Sequence, residues 1–187
     1  MENITRNEVQ DFILKHLNDD VSAVALKKSP FKDISSKELA QQIQGKKIAQ
    51  KKLPTWFSTD RIVYPPKVNM EQASSELTAN YKSELLLPGN TLDLTGGFGV
   101  DDHYFSQKST SVFHCERNEG LSELVAYNAA VLGIQNIDFI KGDSADFLRS
   151  ISQIDNLYVD PSRRNSSGRT SLLEDCEPNE VAELPLY

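Results

Sequence analysis

The sequence predicts an α/β chain in which a small all-helical domain precedes a parallel sheet of four strands. Three observations carry this. From residue 91 onward, short apolar runs alternate with helical patterns. A glycine-rich turn, Gly96-Gly97-Phe98-Gly99, directly follows the first of those runs. The first third, by contrast, holds helix-start signals and no strand pattern. The expected segments are a helical domain over 1–54, a connector ending in a further helix over 55–90, and a Rossmann-like α/β domain over 91–187.

In the helical domain, Thr5 and Glu8 have the spacing of a capping box, with Ile4 and Val9 as its hydrophobic staple. Val9, Phe12, Ile13 and Leu17 then follow one helical face. Ser35 and Glu38 repeat the box, flanked by Ile34 and Leu39, and Asp19 or Asp20 caps a short helix between. The domain ends near Leu53-Pro54. Trp56-Phe57 and Tyr64-Pro65-Pro66 read as an extended connector, because proline restricts both itself and its predecessor. Asn69 caps a helix bearing Met70, Ala73, Leu77 and Tyr81 on one side, closing at Pro88-Gly89. Strands follow at 91–94, 111–115, 138–140 and 156–159. The helices between them start near Val100, hold Leu121, Leu124, Val125 and Leu132 up to the stop at Gly133, and span 145–151. Strands separated by helices pair in parallel.

Composition narrows the class. Hydrophobic content of 39% and charged content of 25% are those of a globular protein. The polar start and the absence of an apolar run near ~20 residues give no secretory signal and no membrane span. Cys115 and Cys176 stand apart, outside any metal-ligand spacing, and read as reduced cysteines of a cytoplasmic protein. A net charge of -7 argues against coating of nucleic acid by bulk attraction. The charge is uneven, though: Lys27, Lys28, Lys32, Lys37, Lys46, Lys47, Lys51 and Lys52 crowd one segment, either as a solvated helix face or as a phosphate-contacting patch.

The chemistry lies at the predicted strand ends. Gly96, Gly97 and Gly99 let the backbone turn sharply and approach a ligand, and Asp93 before them can accept from a ligand ammonium group or water. Glu116, 23 residues after Asp93, ends the second strand, where a carboxylate can take both hydroxyls of a ribose. This fits a nicotinamide cofactor or S-adenosylmethionine (SAM). Asp102 occupies the place of the third dinucleotide glycine, where an acid would repel a pyrophosphate, so the pattern leans to SAM. Asp143 and Ser144 end the third strand, the carboxylate placed for an adenine amino group. Asp160-Pro161 ends the fourth beside the topological switch point.

Asp93 through Gly99, Glu116, Asp143 and Asp160-Pro161 resemble motifs I to IV of class I SAM-dependent methyltransferases, with Thr95 standing where many members have glycine. Asp160-Pro161-Ser162-Arg163 also resembles the Asp/Asn-Pro-Pro-aromatic box of enzymes that methylate base nitrogens, with Ser162 and Arg163 replacing the second proline and the aromatic. Lys52-Leu53-Pro54-Thr55-Trp56, Tyr64-Pro65-Pro66, the run Glu71 to Ala79 and Asp160 to Arg164 resemble the bacterial methyltransferases with a C-terminal THUMP-like domain. The resemblance implies SAM held by Asp93, Thr95, Gly96, Gly97, Gly99, Glu116, Asp143 and Ser144, and RNA as the acceptor. Asp160 would orient a target nitrogen, the Pro161 turn fixing its angle. Arg163, with Arg164, would meet substrate phosphate or pair with nearby acids. The helix from Glu71 to Tyr81 would sit at the mouth of the SAM pocket.

The resemblance also implies a larger sheet than the four strands before Tyr187, so the α/β domain is expected to be incomplete after strand four, weakly active or inactive alone, or completed by a second copy at the strand-four edge. The alternative reading is a noncatalytic module that docks on RNA or a protein through the lysine-rich segment. A nicotinamide-dependent oxidoreductase is disfavoured by Asp102 and the Asp160-Pro161 box.

Overall fold

The computed structural model describes residues 1–140, 147–148, 150–151 and 153–160, with the backbone of 164–165 and 168–169. Helix α1 (Asn7–Lys15) begins after Arg6 with no side-chain cap, so the expected Thr5–Glu8 box does not form. Thr5 instead donates its hydroxyl to the Glu2 carbonyl at 3.1 Å, and Glu8 pairs with Arg6 at 3.6 Å. The staple residues Ile4 and Val9 are buried all the same, so apolar burial sets the position of this helix without the box. Asp20 caps α2 (Val21–Leu26), accepting from Ser22 N at 2.8 Å. The box on α3 (Ser36–Lys52) does form: Glu38 N donates to Ser35 Oγ at 3.2 Å, and Ser35 N donates to the Glu38 carboxylate at 2.7 Å. Hydrogen bonds from Ser35 hold the Glu38 carboxyl below its ordinary range.

Two expectations for the connector are overturned. Trp56 and Phe57 lie in a short helix, α4 (Pro54–Ser58), not in extended chain. Pro54 sits in its first turn, where a missing N–H costs nothing and the fixed φ favours helix. The single helix expected from Asn69 is two, α5 (Lys67–Gln72) and α6 (Glu76–Ser83), with Asn69 inside the first. Ser75 accepts from Thr78 N at 3.2 Å, a local bond that starts a new helix in competition with continuing the old one. Met70 is buried, whereas Leu77 and Tyr81, expected on the same side of one helix, are 82% and 66% exposed.

The second half is the parallel α/β unit that the alternation predicted. Strands β1 (Thr91–Asp93), β2 (Val112–Cys115), β3 (Ile137–Ile140) and β4 (Asn156–Tyr158) form one sheet in the order β3-β2-β1-β4, every pair parallel. Helix α7 (Val100–Phe105) follows β1 and α8 (Glu119–Val131) follows β2, capped by Asn118 and stopped at Gly133 with φ +77°. Every residue of β1 is buried, as in a central strand covered on both faces. Residues 147, 148 and 150, within the expected 145–151 helix, are helical. An antiparallel pair not expected from the sequence, β5 (Arg164–Asn165) and β6 (Gly168–Arg169), lies beyond. Among the described residues no helix is long and apolar enough to cross a membrane.

The core joins the two halves. Ala49, Leu53, Trp56, Tyr64, Met70 and Ala79 pack in one cluster with Phe98, Val100, Leu121 and Val125. Burying an indole such as that of Trp56, 2% exposed, contributes about 2–3 kcal/mol. A polar tie adds direction. Asn128 on α8, 2% exposed, accepts from Val63 N at 2.9 Å and donates to Val63 O at 2.8 Å, serving the connector as a neighbouring strand would. Asn128→Ala strands both buried backbone groups, and we expect a loss of about 2–3 kcal/mol in urea unfolding. A loss under ~1 kcal/mol would show that this tie is not needed.

Candidate functional site

In the strand order β3-β2-β1-β4, the crevice between β1 and β4 is the topological switch point, where open α/β sheets bind ligands at the carboxyl ends of their strands. The structure brings Asp93, the glycine loop and Asp160 together there. Asp93 pairs across the sheet with His114 on one side and Tyr158 on the other. The loop leaves β1 with Gly96 N donating to Cys115 O at 2.9 Å and Gly99 N to Gly96 O at 2.8 Å.

The three glycines have different reasons. A Cβ on Gly96 would lie 2.2 Å from the His114 ring, so this position is glycine because the imidazole packs beneath it. Gly99, at φ +71°, starts α7 in a left-handed conformation, and a Cβ there would strike Val125 at 2.4 Å. Gly97, at φ +53°, meets nothing closer than the Thr95 carbonyl at 3.6 Å. Gly97 is therefore the loop position whose open side suits close approach by a ligand.

Asp93 is not turned outward. It is 1% exposed, and Thr95 N and Oγ1 both donate to its Oδ1, at 2.7 and 3.1 Å. Burial, reinforced by the charge of Asp102, raises its carboxyl well above the ordinary range. Asp102 is fully buried as well, raised first by burial and then by Asp101, and its Oδ2 lies 2.5 Å from His114 Nδ1. This corrects the expectation that Asp102 stands beside the loop as a repelling charge: it faces inward and holds a histidine. Burial lowers the His114 imidazolium below its usual range. Its Nε2 is buried without a hydrogen-bond partner, which suits a neutral ring with its proton on Nδ1, since a charged ring would leave a second N–H unpaired.

Glu116 follows β2, half-buried, and Asn118 N donates to its Oε1 at 2.7 Å, fixing the carboxylate at the strand end. Asp160 lies just past β4 with its side chain 64% exposed, while its backbone N donates to Thr95 Oγ1 at 2.8 Å. Asp143, Ser144, Pro161 and Arg163, expected at this edge, lie outside the described residues, as do the side chain of Arg164 and Cys176.

Sequence reasoning missed a second polar group at the mouth. Lys82 on α6 reaches Asp101 Oδ1 at 3.2 Å, Ser74 Oγ at 2.9 Å, the Tyr158 hydroxyl, and Asp160 Oδ2 at 3.9 Å. Burial, then the charges of Asp101 and Asp160, push the Tyr158 phenol far up. Glu76 on the same helix accepts from Thr55 N at 2.6 Å, from Thr55 Oγ1 at 2.9 Å and from the Tyr104 hydroxyl at 3.0 Å. Burial and this carboxylate raise the Tyr104 phenol to about 12. Helix α6 is thus tied to α4, to α7 and to the end of β4. A lone lysine and a lone tyrosine 76 residues apart give no sequence signal for such a group.

The lysine-rich segment is partly consumed inside the fold. Lys46 is 5% exposed with its Nζ donating to Phe57 O at 3.2 Å and lying 5.3 Å over the Phe57 ring; burial lowers its ammonium below its usual range. Lys52 donates to the carbonyls of Met70 and Glu71 at 3.0 and 2.8 Å. Lys47 donates to Asp19 O.

The four-stranded parallel sheet, its helices and the loop at the switch point define the α/β Rossmann-like fold of methyltransferases. No family model and no curated protein matches the chain. Among solved structures, a protein from Porphyromonas gingivalis W83 provisionally designated a methyltransferase is 26% identical, with a TM-score of 0.76. That match covers 98% of this chain and 46% of the other, so this chain spans less than half the length of that protein. A protein from Streptococcus mutans, provisionally designated a methyltransferase and solved with SAH, is 17% identical over 51% of this chain and 56% of its own, with a TM-score of 0.41. The second likeness is too slight to carry an argument. The first shows the same fold over nearly the whole of this chain.

Proposed function

We propose that this chain carries the SAM site of a class I methyltransferase that acts on RNA, with a base nitrogen as the acceptor atom. The observation that carries the reading is the meeting of two strand ends at the switch point, where one hydroxyl, that of Thr95, bonds both Asp93 and the backbone of Asp160. When bound, SAM supplies a methyl group on a sulfonium. Gly97 offers open backbone for close approach, and Glu116, held by Asn118 N just past β2, would take the ribose hydroxyls. Asp143 and Ser144 would take the adenine, on the strength of the motif. The donor set fits the group: the carboxylates of Glu116 and Asp160 stand at this edge beside the Lys82 ammonium, which Asp101 already pairs, and that excess of acid favours a cationic cofactor over a pyrophosphate. Asp160 would hold the target nitrogen, and alignment of the reactants supplies most of the rate effect.

RNA as the acceptor, and a THUMP-like module in the whole protein, follow from the sequence resemblance, whereas a cytoplasmic location rests on the two cysteines that stand apart and outside any metal-ligand spacing. The whole enzyme's activity, and a second copy completing the β4 edge, are proposals of the same standing. The alternative, a noncatalytic module docking through the lysine segment, is weakened by Lys46 and Lys52, whose ammonium groups serve the fold.

Calorimetry with SAM and with NAD tests the reading. We expect SAM to bind and NAD not to, with Glu116→Ala weakening SAM at least about tenfold through loss of a charge-assisted bond pair. Gly97→Val, a β-branched residue forced to φ +53°, should abolish binding. Binding of NAD alone would sink the proposal.

A further inference from the structure

We propose that Thr95 is a positioning residue that locks the acceptor-side carboxylate residue, Asp160, to the glycine loop; the functional meaning rests on the methyltransferase reading above. A threonine hydroxyl has one proton to give and two lone pairs to share. Here the proton goes to Asp93 Oδ1 at 3.1 Å, and a lone pair receives the Asp160 backbone N–H at 2.8 Å. Thr95 N donates to the same Asp93 oxygen at 2.7 Å, so backbone and side chain of Thr95 are fixed by one buried anchor. The β-branch restricts χ1 further, and the hydroxyl has little freedom to turn elsewhere.

The arrangement divides Asp160 into a held part and an open part. Its backbone N–H is tied to the loop, while its side chain stays 64% exposed and available to a ligand. Lys82 Nζ, itself bonded to Asp101 and Ser74, lies 3.9 Å from the carboxylate on the α6 side. A glycine at position 95, as in many proteins that the loop resembles, has no hydroxyl and cannot make this tie. The hydroxyl at position 95 therefore registers the end of β4 against the loop. Register of that kind matters because small misplacements of reacting groups cost large factors in rate.

The test reads the Asp160 amide directly, by hydrogen exchange measured with NMR on the ligand-free chain. In the wild type this amide should be protected. Thr95→Val keeps the shape and β-branch but removes the hydroxyl, and should speed its exchange about tenfold. Thr95→Ser restores the hydroxyl and should bring exchange back to within about threefold of wild type. The amides of β2 serve as the control for general loosening and should be unchanged. An unprotected Asp160 amide in the wild type, which needs no variant to fold, would overturn the proposal. So would equal exchange in wild type and Thr95→Val, or failure of Thr95→Ser to restore protection. None of these measurements involves SAM, so a failure here is distinguishable from a failure of SAM to bind in calorimetry.

Discussion

Gly96→Ala is expected to destabilise the chain by about 3 kcal/mol or more, although it adds a single methyl group. The new carbon would sit 2.2 Å from His114 Cε1 and Nδ1, inside any permitted contact. The ring is fully buried and bonded to Asp102 at 2.5 Å, so it cannot swing away without breaking that bond in the interior. The backbone cannot retreat either, because Gly96 N donates to Cys115 O and Gly96 O accepts from Gly99 N. Gly97→Ala is the matched control. Its carbon meets nothing closer than 3.6 Å, and only the left-handed φ of +53° is strained, at about 1–2 kcal/mol. Urea unfolding of the two variants checks the contrast. Equal losses would mean that the loop's glycines are there for backbone freedom alone, and that His114 gives way.

That contrast also shows how far the sequence could be read. Three glycines after an apolar strand announced a tight turn, yet their separate reasons lay in residues that no local pattern connects: His114 under Gly96, Val125 beside Gly99, open space at Gly97. Alternating strands and helices were legible because period and length survive in the sequence, and four parallel strands follow from them. Caps were legible only where nothing nearer competed. Ser35 had only its own helix to serve, whereas Thr5 found the Glu2 carbonyl. Trp56 and Phe57 depart from the expected extended chain because Pro54 stands where a proline starts a helix. The strand-end carboxylates Glu116 and Asp160 were placed correctly at their strand ends, since order along the chain fixes where parallel strands finish. What Thr95, Asp102 and Lys82 do was not legible, because each acts on a partner from another element.

Asp102 illustrates the point and leads to a second large effect. Read in sequence, it was a charge beside the loop; in the fold it is a buried acceptor for a neutral histidine. Asp93 and Asp102 both titrate well above an unfolded carboxylate, so their contribution to stability is full in acid and is lost as pH rises through their folded values. His114 titrates below an unfolded imidazole, so its contribution is present above the ordinary histidine range and is lost as pH falls through its folded value. Above neutrality, then, the folded chain bears the cost of buried carboxylates, while His114 adds no penalty. Asp102→Asn keeps an oxygen to accept from His114 Nδ1 and removes one of those charges, which also relieves Asp93. We expect it to be at least as stable as the wild type at pH 8, gaining about 1 kcal/mol or more, with a flatter stability profile from acid to pH 8. Asp102→Ala removes the acceptor altogether, strands the imidazole N–H, and should lose about 2–3 kcal/mol at the same pH. Urea unfolding of the three proteins at pH 5 and pH 8 separates the possibilities. If Asp102→Asn falls as far as Asp102→Ala at pH 8, His114 is charged and the pair is ionic; if it holds, the floor beneath the glycine loop is a neutral hydrogen bond and the acid at position 102 serves the fold.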